Sequence, residues 1–155
     1  MTDRDRDATG RPRNARPRDE LGRPLPRGSQ GTPTIPDDLV LPPAQTLAYA
    51  QQLLDDDLPF HAHEVLEAAW KNGPADERML WQGLAQLAVG LTHIRRGNRT
   101  GAVSLLRRGS QRLAAAPVPH GVDVDGLLGF ADALIEDLSA DAQIAPQRLR
   151  PRLVV

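Results

Sequence analysis

The 155-residue chain reads as an all-α protein: a single compact bundle of about five antiparallel helices with an extended N-terminal arm. Three observations predict this. Apolar residues between positions 44 and 138 recur at i, i+3, i+4, i+7, the period of a buried helix face. No segment shows the apolar/polar alternation of a half-buried strand. The links between periodic segments are short, which sets consecutive helices antiparallel.

Residues 1–36 form the arm. Pro12, Pro17, Pro24, Pro26, Pro33 and Pro36 interrupt any helix there, and each holds its preceding residue in extended conformations. Apolar residues are too sparse to build a core. The helical domain spans 37–140, and residues 141–155 read as an extended C-terminal tail that Ile144, Leu149, Val154 and Val155 could dock.

The first helix follows Pro42-Pro43 and runs from Ala44 to about Leu54, with Leu47, Ala50, Gln51 and Leu54 on one face. Asp55-Asp56-Asp57 breaks it. The second opens at Pro59, a residue suited to a first turn, and Asn72-Gly73-Pro74 stops it near Trp70. The third runs from Asp76 to Arg96. Between Met79 and Ile94 it is apolar nearly all round, which marks a central helix. Gly97-Asn98 closes it and caps the fourth. The fourth runs from Arg99 to about Ala115 and buries Ala102, Leu105, Leu106, Gly109 and Leu113, with Arg107, Arg108 and Arg112 in solvent. The fifth is capped by Asp123 or Asp125 and buries Leu127, Ala131, Leu134 and Leu138.

The chemistry gathers on two helices. On the second, Phe60, His63, Glu64, Glu67 and Trp70 share one arc, with His63 and Glu67 one turn apart. On the third, Gln82, Gln86 and His93 fall within one narrow arc flanked by Gly83 and Gly90, where a neighbouring helix can approach closely. Buried polar groups need partners, so the two arcs are expected to face each other as walls of one cluster. His-Glu-x-x-Glu differs from the zincin His-Glu-x-x-His in its last ligand. By that analogy His63 and Glu67 would ligate a divalent metal (Zn, Mn or Fe), with His93 as third ligand and Glu64 activating water. One half of a bundle di-metal site is a further likeness, but no second copy of the motif exists. The reading the sequence favours is structural, with the metal site as its alternative: the same groups satisfy one another and fix helix register. A third reading makes the helical hairpins a protein-interaction module. His61 is expected at the rim, His120 in a solvated loop, and Trp70 and Trp81 as core anchors.

Composition narrows the rest. The absence of cysteine removes disulfides, thiolate zinc sites and cysteine nucleophiles. No apolar run approaches the ~20 residues that span a bilayer, and no signal-peptide stretch opens the chain, so no membrane partner and a cytoplasmic location are expected. Residues 1–36 carry eight arginines against five acids, while the remainder is net acidic at eleven basic against fifteen acidic residues. Lys71 is the sole lysine. That bias follows genomic composition, so the arginines argue little for nucleic acid. The partner is left unknown, and self-association is left open.

The stretch Phe60-His61-Ala62-His63-Glu64-Val65-Leu66-Glu67-Ala68-Ala69-Trp70 resembles the signature of the prokaryotic family called domain of unknown function 309. The run from Trp81 to Gly90, then His93-Ile94-Arg95-Arg96-Gly97-Asn98 and Gly101-Ala102, is similar to its second signature. The resemblance covers residues 44–115. It implies a helical bundle and, in some family descriptions, a metal-dependent hydrolase. The positions it carries over are His63, Glu64, Glu67, Gln82, Gln86 and His93.

Overall fold

The computed structural model describes residues 35–117 and 119–155. The expected arm lies outside the described residues except for Ile35 and Pro36. Ile35 is buried in the core.

Among the described residues five helices form in the order the periodicity predicts, and there is no β-strand, only one isolated bridge between Val122 and Val154. Helix α1 (Pro43–Asp55) turns Thr46, Leu47, Ala50 and Leu54 inward. Helix α2 (Pro59–Asn72) starts on proline, whose missing N–H costs nothing in a first turn. Pro74 then holds the chain extended, and a single 3₁₀ turn (Ala75–Glu77) leads into α3 (Arg78–Arg95). The sequence reading ran that turn and α3 together. Gly97 at φ 79° reverses the chain, a conformation that a Cβ disfavours. Asn98 then caps α4 (Arg99–Ala115) by accepting from the Gly101 amide at 3.0 Å. Asp123 caps α5 (Val124–Ser139) in the same way, from Gly126 at 3.1 Å.

Each helix packs chiefly on its neighbours in sequence, α1 on α2, α2 on α3, α3 on α4 and α4 on α5. Helix α3 is the centre of this arrangement, and its Leu80, Trp81, Leu84, Leu87, Ala88 and Leu91 are almost fully buried. Its glycines do admit a close neighbour, and that neighbour is α4. A Cβ at Gly109 would lie 2.9 Å from the Gly83 carbonyl oxygen, and one at Gly90 would lie 3.0 Å from Leu106. The α5 face expected from periodicity (Leu127, Ala131, Leu134, Leu138) is the buried one.

The segment after α5 is pinned. A 3₁₀ turn (Pro146–Leu149) buries Leu149. Gln51 donates to the Pro151 carbonyl at 2.8 Å and accepts from the Leu153 amide at 2.9 Å, so one amide side chain satisfies two backbone groups. Arg150 forks onto Asp57 at 3.0 and 2.8 Å, which holds the Asp57 carboxyl below its ordinary range. Of the four apolar residues proposed to dock this segment, Leu149 is buried and Ile144 partly so, whereas Val154 and Val155 are exposed; Leu153 takes their place. Among the described residues, no helix is long and apolar enough to cross a membrane.

Candidate functional site

Helix α2 buries Ala62, Val65, Leu66 and Ala68 and leaves the arc of His63, Glu64 and Glu67 half-buried. The polar arc was expected to be enclosed. The apolar residues of α2 occupy the opposite sector of the helix, so the core claims that side and the polar arc meets solvent. Together with Asp37, Phe60 and Lys71 the three motif residues line a recess of about 170 Å³.

The geometry along this arc is a ladder. Glu67 lies 2.7 Å from His63 Nε2 and 2.6 Å from Lys71 Nζ, both one turn away. The other ring nitrogen of His63 sits 3.1 Å from the Phe60 carbonyl oxygen. Both imidazole nitrogens therefore face oxygen atoms. The hydrogen bond from His63, aided by Lys71 against the opposing effect of burial, lowers the Glu67 pKa from its ordinary 4.5 to about 2. Glu64 lines the recess beside them and is itself engaged in an interaction.

The α3 stripe has a different setting. Gln82, Gln86 and His93 are half-buried, and none of them lines the recess on α2. Asn98 Nδ2 lies 3.3 Å from His93 Nδ1 and donates to it, so the residue that caps α4 also holds this ring. Partial burial first, and Arg96 second, lower the His93 pKa. Gln86 keeps a buried Oε1 with no hydrogen-bond partner among the described residues. Also among the described residues, no three His, Asp or Glu side chains converge on a point where a metal would sit.

One histidine departs from its expected place, and another makes contacts that the sequence did not announce. His61, expected at the rim, is 3% exposed. Helical projection sets it beside Val65 and Ala68, on the side the core covers. His120 is exposed in a turn, as expected, and also lies 2.7 Å from Glu77 Oε1 and stacks on Trp81 with ring centroids 6.0 Å apart. Trp81 Nε1 donates to the same carboxylate oxygen at 3.1 Å. His120 adopts φ 65°, a conformation that is strained for a side-chain-bearing residue and is held here by those contacts. Trp81 is a core anchor as expected, at 2% exposure. The only trace of the His120 contact in sequence is a His-Gly pair just after Pro117 and Pro119, which signals a turn but not its partner.

A match to a known protein family covers the motif helix and its neighbours. Residues 47–105 fit the family model described as Domain of unknown function (DUF309). The "Uncharacterized protein YpuF" of Bacillus subtilis (strain 168) is 37% identical to this chain over 83 residues. That stretch is 51% of this chain and 48% of the relative, so about half of each protein is aligned. No solved structure matches the chain. Over residues 47–105 the chain is thus similar to the family described as Domain of unknown function (DUF309).

Proposed function

We propose that this domain is a helical protein-interaction module and that its His63-Glu64-x-x-Glu67 motif is a structural clasp on α2. The observation that carries the reading is the double engagement of Glu67 by His63 and Lys71 at 2.7 and 2.6 Å. A carboxylate that already serves an imidazole and an ammonium makes a poor metal ligand, because a divalent ion would have to displace Lys71 and share His63. The third ligand considered from sequence, His93, is held by Asn98. These engagements favour the clasp over a zinc, manganese or iron centre, which uses three convergent protein ligands. What supports a binding role is the architecture. Antiparallel hairpins laid side by side leave grooves between helices, and such grooves suit partner segments.

One observation favours the hydrolase alternative. Glu64 lines an open recess next to His63, where it could accept a proton from water. Ester, phosphodiester and peptide fluorogenic substrates, offered with and without added zinc, manganese or iron, separate the two readings. The clasp predicts equal background turnover by the native chain and by Glu64→Gln. Turnover by the native chain that vanishes in Glu64→Gln would overturn it.

A further inference from the structure

We propose that the groove between α4 and the end of α5 binds an acidic, extended segment of a partner protein. This rests on the interaction-module reading and names its binding face. The groove, about 540 Å³, has an apolar floor of Val103 and Leu138 and a cationic rim, and among the described residues no acidic one lines it. Arg99, at one end, is already committed: it donates to the carbonyl of Ala142 at 2.8 Å and pairs with Asp141. Arg107 and Arg108 are exposed, and neither has a hydrogen-bond or ion-pair partner among the described residues. Their planar guanidinium forks suit carboxylates.

The spacing gives the length of the occupant. Thr100, Ser104, Arg107 and Gln111 stand at i, i+4, i+7 and i+11 on one face of α4, opposite its buried stripe of Ala102, Leu106, Gly109 and Leu113. At 1.5 Å per residue that row is roughly 16 Å long. An extended chain rising about 3.3 Å per residue covers it with about five residues. Hydroxyl and amide groups along the row can serve the backbone of such a segment. The two free arginines select carboxylates flanking a small apolar anchor. Duplex DNA, at one negative charge per ~1.7 Å, offers charge but no apolar side chain for the Val103–Leu138 floor.

The test is fluorescence anisotropy with a fluorescein-labelled Glu-Glu-Leu-Glu-Glu peptide and the full chain at low salt. Circular dichroism checks that each variant is folded. Arg107→Glu/Arg108→Glu is expected to weaken binding at least tenfold. Arg78→Glu/Arg152→Glu, the same change of net charge placed elsewhere, is expected to change it less than twofold. Replacing the peptide's Leu by Gly is expected to weaken binding severalfold. No binding by the native chain overturns the groove, as does equal loss in both double variants. Tighter binding of a 20-base-pair duplex, lost in Arg107→Glu/Arg108→Glu, overturns the peptide assignment. The turnover assay above decides the clasp separately, so failure of one reading is distinguishable from failure of the other.

Discussion

Replacing Glu67 by Gln removes the charge at the centre of the α2 ladder and keeps the side chain's size. Taken at face value, a shift from 4.5 to about 2 at ~1.4 kcal/mol per pH unit would be about 3 kcal/mol. The Glu67 side chain is 32% accessible, and screening at such a site cuts the figure sharply. Two i,i+4 pairs at ~0.3–0.5 kcal/mol each give about 1 kcal/mol, which is the value adopted for Glu67→Gln at pH 7. The folded carboxyl titrates below the unfolded one. As pH falls, the unfolded chain takes up its proton first, so this stabilisation is complete above pH 4.5 and disappears between about 4.5 and 2. Urea unfolding followed by circular dichroism at pH 7, 5, 4 and 3 measures it, provided the native chain and Glu67→Gln are compared at each pH. The subtraction cancels the other carboxylates. A gap of about 1 kcal/mol that closes on acidification is the expected result. A gap that is absent at pH 7, or that stays constant down to pH 3, refutes the ladder.

Other perturbations probe the surroundings. Gly109→Val should cost about 2 kcal/mol in urea unfolding, because its Cβ would meet the Gly83 carbonyl oxygen at 2.9 Å and backbone cannot step aside. Leu106→Ala, at a fully buried site, should cost ~2–5 kcal/mol by the same measurement. Asp123→Ala removes the cap of α5 and should cost about 1 kcal/mol. His120→Ala leaves Glu77 with its bond from Trp81 and should lower stability by about 1 kcal/mol or less while altering tryptophan fluorescence; unchanged emission would contradict the stacked arrangement.

Much of the fold is legible because its signals are local. The α5 face was readable from Leu127, Ala131, Leu134 and Leu138 alone, and Gly97-Asn98 carried both the turn and the cap. The motif was legible as a set of neighbours on α2, since His63, Glu67 and Lys71 are one turn apart. Its setting was not, because helical projection gives directions around one helix and is silent on which sector a neighbour covers. That is why His61 was placed at the rim and the Gln82–Gln86–His93 stripe as a facing wall, whereas His61 is buried and no α3 residue lines the recess. Contacts between residues far apart in sequence were the least readable. His120 meets Glu77, and Gln51 meets Leu153, across 43 and 102 positions, with no periodicity to announce either.

If the His63-Glu64-x-x-Glu67 motif closes on itself through Lys71, as proposed, it does not hold a metal ion. Isothermal titration of the tag-free chain with zinc, and separately with manganese, tests it most directly. No stoichiometric binding that depends on the motif is expected, with the native chain and His63→Gln/Glu67→Gln giving the same titration. One ion bound per chain at micromolar affinity or better, and lost in that double variant, would contradict it.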